Sequence, residues 1–252
     1  MLSIHSLSKS FGAHKAVDDV SFGMKAGEMV ALIGPNGAGK TTTFNMISGQ
    51  AAANSGRVEL DGEDILGRSP QHIARLGVGR TFQVAATFPS LTVQENVQMA
   101  FVAHHRRIYH LWSRARDQYT DEAQALLKQV GMQEQADRAC SELAYGDVKR
   151  VELAMALAAG PRLLLMDEPT AGMAPSERHA LMALTRDLAA RRNMGVLFTE
   201  HSMDVVFAYA DRLIVLARGR IVADGEPDQV RDDPDVQRVY FGSGTTFRTA
   251  AS

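Results

Sequence analysis

Short aliphatic and β-branched runs recur along the chain, and longer segments with helical spacing separate them. The runs predict strands at 17–22, 28–33, 57–60, 162–166, 195–200, 212–216 and 220–224. Arg218 and Gly219 between the last two form a hairpin-turn signal. Ala123, Leu126, Leu127 and Val130 keep i, i+3, i+4, i+7 spacing, which predicts a helix. Val148, Val151, Met155 and Ala158 mark a second apolar helical face, and Leu181, Leu184 and Leu188 a third. Early and late strands sit beside Gly and Asp-Gly turn signals, so they read as antiparallel. Helices separate the middle strands, so those read as parallel. The alternation predicts an α/β protein. The polar stretch 101–120 reads as helix or loop, and the small polar end 243–252 as a fraying tail.

Composition narrows the classes. The 252 residues allow one large domain or two small ones. Lys plus Arg is 27 and Asp plus Glu is 29, a net charge of −2, which argues against nucleic acid as a partner. Hydrophobic content of 45% with 22% charged residues is that of a folded globular chain. The single Cys140 excludes an internal disulfide and a multi-cysteine zinc site, and suits a reducing cytoplasm. The first residues lack the basic and apolar regions of a signal peptide. The longest apolar run, 153–160, is too short to cross a bilayer, so work at a membrane requires another component to hold the chain there.

The chemistry begins at Gly34-Pro35-Asn36-Gly37-Ala38-Gly39-Lys40-Thr41, which fits GxxxxGK[ST] between an apolar strand and a helix that continues through Thr42. Glycines let backbone amides curl around an anion, and the helix N-terminus adds its positive dipole end. Lys40 would reach the β- and γ-phosphates, and the Thr41 hydroxyl would hold Mg²⁺. A second signal is the apolar run 163–166 ending in Asp167 and Glu168. The strand would carry Asp167 to the sheet edge beside the phosphate loop, to hold Mg²⁺ through water. Glu168 would activate the attacking water. Alone, the pair also reads as a helix cap before Pro169. Together with Lys40, the phosphate chemistry is favoured.

These motifs resemble those of the ATP-binding subunits of ABC transporters, from about Ile4 to Gly242. The resemblance implies a P-loop NTPase fold: a RecA-like parallel core, an antiparallel β subdomain and a helical subdomain near 86–160. It implies ATP and Mg²⁺ as ligands and ATP hydrolysis as the reaction. By the same resemblance, Phe11 stacks on adenine, Gln83 in Arg80-Thr-Phe-Gln touches Mg²⁺ or the attacking water, and His201 donates to the γ-phosphate. Leu143-Ala144-Tyr145-Gly146-Asp147 stands in place of the family's usual Leu-Ser-Gly-Gly-Gln and would face ATP held by a second subunit. Ala144 removes the serine hydroxyl, a bond to charged phosphate worth about 1.5–3 kcal/mol. Ala174 likewise replaces the usual acid of its loop.

Leu-Ala-Tyr-Gly, Asp-Glu-Pro-Thr-Ala-Gly-Met-Ala-Pro and the ending Val239-Tyr-Phe-Gly242 are similar to the LivG-type ATPases of branched-chain amino acid importers. That subtype also serves urea and other small polar solutes. It implies a twin or sister ATPase, two membrane-spanning permeases and a periplasmic solute-binding protein. The chain would then sit peripherally on the cytoplasmic side of the inner membrane. The alternatives are a soluble ABC ATPase, a P-loop kinase and a nucleotide-binding subunit without turnover. Near-neutral charge argues against the first, and a kinase has no need of 143–147 or His201. Intact Lys40, Asp167 and Glu168 argue against the third. His104, His105 and His110 sit among arginines that would repel a cation, so that stretch reads as a solvated face, or with Trp112 as one near anionic lipid.

Overall fold

A computed structural model describes residues 1–82, 86–105 and 119–241. Among these, the strands in chain order are β1 (Leu2–Phe11), β2 (His14–Met24), β3 (Met29–Ile33), β4 (Ser55–Leu60), β5 (Glu63–Asp64), β6 (Val78–Thr81), β7 (Leu163–Asp167), β8 (Gly195–Thr199), β9 (Arg212–Ala217) and β10 (Arg220–Gly225). The helices are α1 (Lys40–Ile47), α2 (Pro70–Arg75), α3 (Val93–His105), α4 (Thr120–Gln129), α5 (Tyr145–Leu157), α6 (Pro175–Arg192), α7 (Met203–Tyr209), α8 (Pro227–Asp232) and α9 (Pro234–Phe241). None of the described helices is long and apolar enough to cross a membrane.

The strands form two sheets. One has the order β2-β1-β4-β5 and is antiparallel throughout. The other has the order β10-β9-β3-β8-β7-β6; it is parallel from β9 to β6, and β10 closes it as an antiparallel hairpin. The Arg218-Gly219 turn of that hairpin has both φ angles positive, at 50° and 81°.

The parallel strands are buried on both faces, which explains their continuous apolar runs. Met29, Ala31, Ile33, Leu164, Met166, Val196 and Phe198 point into a core closed by Val97 of α3, Leu126 of α4, Val151 of α5, Leu181 of α6 and Val205 of α7. Val30, Leu32, Leu163, Leu165 and Leu197 point the other way, against Phe44 and Ile47 of α1 and the inner face of the antiparallel sheet. Each fully buried side chain of this size contributes about 1.5–3 kcal/mol.

Three strands lie beyond those expected from the sequence: β1, β5 and β6. In β1, Leu2 and Ile4 are buried, then Leu7; the register shifts between Ile4 and Leu7 and Ser6 has φ 46°. That irregularity moves the inward face from even to odd positions and breaks the period-two pattern. The 17–22 run is part of the longer β2, in which Asp19 (φ 57°) makes a matching irregularity. The strand at 212–216, expected only as half of an antiparallel hairpin, also pairs in parallel with β3. The three helical faces fall on α4, α5 and α6; Val130 and Ala158 cap the first two. Of the 101–120 stretch, α3 takes the first residues to His105 and α4 begins at Thr120. The residues between, including His110 and Trp112, and the 243–252 tail lie outside the described residues.

Candidate functional site

The loop at 34–39 leaves the end of β3 and enters α1. A Cβ at Gly34 (φ 150°) would collide with the Leu216 carbonyl oxygen, and one at Gly39 (φ 105°) with the Ala16 carbonyl oxygen. Only glycine allows β9 and β2 to press this closely on a loop in those conformations. The Ala38 amide donates to the Pro35 carbonyl at 3.1 Å, and Gly219 of the β9–β10 turn donates to the Ala38 carbonyl at 3.1 Å. Lys40 is buried, and its Nζ donates to the carbonyls of Gly34 (2.6 Å) and Pro35 (3.2 Å). Burial pulls the Lys40 ammonium below its ordinary pKa, while the Glu168 and Asp167 carboxylates draw it back up. Thr41 is exposed on the first turn and Thr42 is half-buried.

The acidic pair comes from β7, two strands away from β3, with β8 between them. Asp167 ends the strand and is buried. Its Oδ1 accepts from Thr199 Oγ1 at 2.8 Å, and its Oδ2 lies 3.6 Å from an Arg80 guanidinium nitrogen. Glu168 follows with φ 49°, a left-handed conformation unusual for a non-glycine residue. Its amide donates to Thr199 Oγ1 at 2.9 Å. His201 follows β8, and its Nε2 lies 2.9 Å from Glu168 Oε1. The described fold thus brings Lys40, Asp167, Glu168 and His201 together at the carboxyl ends of the parallel strands, where ligands of open α/β sheets bind.

Phe11 ends β1, 57% exposed, with Lys9 Nζ 5.1 Å from its ring centroid. It pairs with His14 at the start of β2, the strand whose Ala16 abuts Gly39. Ala144, Tyr145 and Gly146 are placed by other elements. Ala144 caps α5 without a side-chain hydrogen bond, Tyr145 is 45% exposed, and the neighbours of this end are Gly172, Met173 and Glu177. Gln83 lies outside the described residues. Phe82, just before it, is held through both backbone groups: its amide donates to Glu152 Oε1 (2.7 Å) and its carbonyl accepts from Lys149 Nζ (2.8 Å).

Sequence reading alone passed over Arg80, Thr199 and Glu200. Burial lowers the Arg80 pKa while Asp167 raises it, and its guanidinium also donates to Ser48, Gln50 and Asn45. Polar residues closing the apolar strand 195–199 were the available signal for the other two.

For Mg²⁺, a hard cation, the oxygen donors Asp167 and Thr41 are of the right chemistry. Among the described residues no cluster of three or more His, Cys, Asp or Glu side chains could hold a metal by itself. Both Asp167 oxygens already have partners, which suits contact through water.

A glycine cradle at a helix start, a buried lysine and an acidic pair at the end of a neighbouring parallel strand define a P-loop nucleotide-binding protein. The comparisons carry this further. The model of the family described as "ABC transporter" matches residues 17–171, and that of the "Branched-chain amino acid ATP-binding cassette transporter" family matches residues 220–245. The high-affinity branched-chain amino acid transport ATP-binding protein LivG of Escherichia coli K12 is 39% identical, covering 96% of this chain and 98% of its own. The corresponding protein BraF of Pseudomonas aeruginosa is 38% identical over the same shares. Among solved structures, the ADP conformation of an ATP-binding cassette of an ABC transporter superposes with a TM-score of 0.87 at 33% identity, covering 96% of this chain and 98% of that one. A nucleotide-free ATP-binding cassette gives 0.86 at 32%, covering 95% and 98%. The chain belongs to the ABC transporter ATP-binding family: it is a nucleotide-binding ATPase of ABC type.

Proposed function

We propose that the chain is the ATP-hydrolysing subunit of an importer for branched-chain amino acids. It works peripherally on the cytoplasmic side of the inner membrane, with a twin or sister ATPase and membrane-spanning permeases, and a periplasmic binding protein delivers cargo. Residues 1–242 act as one nucleotide-binding domain, with a helical subdomain at about 86–160 and a tail at 243–252.

The loop of Gly34, Pro35, Asn36, Gly37, Ala38 and Gly39 and the first turn of α1 at Lys40, Thr41 and Thr42 take the triphosphate through backbone N–H groups, to which Pro35 contributes shape and no donor, and Phe11 takes the adenine. Lys40 exchanges its two carbonyl partners for β- and γ-phosphate oxygens, which relieves the poor solvation of its charge. Thr41, Gln83 and Asp167 would hold Mg²⁺, which when bound would supply neutralisation of phosphate charge. Glu168 orients a water and takes its proton as the new oxygen–phosphorus bond forms and the bridging bond to ADP breaks. His201 steadies Glu168 and donates to the γ-phosphate. Ala144, Tyr145 and Gly146 face the nucleotide of the partner chain. ATP that contacts both chains only in the closed pair drives closure, and hydrolysis reopens it.

The observation carrying this reading is the 2.9 Å contact between Glu168 and His201 beside a buried Lys40. The match at 220–245 supports the cargo. The test is leucine uptake into membrane vesicles that contain the permeases and binding protein. Parental protein should support ATP-dependent uptake. Glu168→Gln should bind MgATP yet lose hydrolysis and uptake by about a hundredfold or more. Parental hydrolysis by Glu168→Gln would overturn the role of Glu168, and uptake of urea in place of leucine would overturn the cargo.

A further inference from the structure

Glu200 is 3% exposed, and the hydrolysis scheme above assigns it no role. A buried carboxylate is costly unless its oxygens are fully served by donors. Here they are, by two separate turns. Oε1 accepts from the Thr170 amide at 2.9 Å and from Thr170 Oγ1 at 2.6 Å. Oε2 accepts from the amides of His201 at 3.1 Å and Ser202 at 3.5 Å. Thr170 lies two residues after Glu168, in the turn where the Ala171 amide returns to the Glu168 carbonyl. His201 and Ser202 form the turn after β8.

We propose that Glu200 is a positioning residue for hydrolysis, its carboxylate locking the turn that carries Glu168 to the turn that carries His201. The inference rests on the reading of Glu168 and His201 given above. Glu168 needs such a brace, because its left-handed backbone persists only where the surroundings over-determine it. Consecutive residues supply that bracing. Thr199 holds Asp167 and the Glu168 amide, Glu200 holds Thr170, and His201 meets the Glu168 side chain. Every group facing Glu200 in these contacts donates a hydrogen bond. Glutamine at this position keeps the shape but turns an NH₂ toward either the Thr170 amide or the His201 and Ser202 amides, which cannot accept; the Thr170 hydroxyl alone can turn to accept, so at least one amide contact of the lock is lost.

The test compares parental protein with Glu200→Gln. MgATP affinity and KM should stay within about twofold, because no phosphate contact involves Glu200, while kcat falls about ten- to a hundredfold, the scale of an ångström-sized misplacement. In ¹⁵N-histidine spectra of nucleotide-free protein, the His201 ring resonances should move toward those of Glu168→Gln, which reports a loosened pair; a purely structural role would lower the melting temperature without that shift. If Glu200→Gln does not fold, Thr170→Val carries the same readouts: it removes the hydroxyl donor and keeps the branched shape. Unchanged kcat in the folded variant, or unmoved His201 resonances, overturns the proposal. If the parental protein itself fails to hydrolyse ATP, the functional reading fails instead, and the spectra still decide whether Glu200 sets the pair.

Discussion

A methyl group at position 39 has no room and the wrong backbone. Gly39 sits at φ 105° at the start of α1, with the Ala16 carbonyl pressed against the face where a Cβ would stand. Gly39→Ala is therefore expected to cost about 2–4 kcal/mol, combining left-handed strain with overpacking. Urea unfolding would measure it, and nucleotide binding should fall as the amide cradle opens. A cost below about 1 kcal/mol would mean that β2 yields easily and does not set the loop. Positions like this are readable in a sequence because glycine at that spacing leaves one explanation. Lys40, Asp167 and Glu168 were readable because a glycine loop and an acidic pair each follow an apolar strand, whereas His201 was legible only through the resemblance to ABC ATPases. Thr199, Glu200 and Arg80 were not, because their roles depend on which strand lies beside which. Only the placement of β8 between β3 and β7 puts Thr199 against Asp167.

At the scale of elements, α5 is fastened to the end of β6 by charge in an apolar setting. Lys149 and Glu152 are one helical turn apart, 3.1 Å from each other, and their side chains are 2% and 5% exposed. Between them they take both backbone groups of Phe82. Removing one partner leaves the other charge buried, so Glu152→Ala is expected to destabilise the protein by about 3–5 kcal/mol. The double variant Lys149→Met with Glu152→Leu should cost less than the sum of the two single truncations, because it removes both charges together, although it releases both backbone groups of Phe82. Thermal and urea unfolding of both check this; a double variant as damaging as the sum of the single changes would place the energy elsewhere. The pair also shows why β6 escaped a reading from hydrophobic pattern. Its four residues, Val-Gly-Arg-Thr, carry one large aliphatic side chain, and the Arg80 side chain is 10% exposed because the end of α1 and Asp167 supply its acceptors. The middle strands were legible because burial on both faces leaves unbroken aliphatic runs. β1 was not, because its face changes midway.

At the scale of the whole molecule, the six-stranded sheet separates two cores, and the Lys40–Glu168–His201 cluster lies where its parallel strands end. The cluster therefore inherits rigidity from both sides. Tyr145 and the start of α5 lie against Gly172 and Met173, in the loop that follows Glu168, and against Glu177 at the start of α6. If that end of α5 faces the nucleotide of another chain, as proposed above, each site is complete only in a pair. Specific activity should then depend on protein concentration, rising as chains associate and levelling once pairing is complete. The measurement is ATP turnover per chain over about a hundredfold range of concentration, for the chain alone and with an equimolar sister subunit. Tyr145→Arg, which places a bulky charge on an exposed contact face, should shift the rise to higher concentration and leave MgATP affinity of the isolated chain unchanged. Activity that stays flat across the range would mean that each chain hydrolyses ATP with its own residues only. The role given to 144–146 would then be wrong, while the roles of Lys40 and Glu168 would stand.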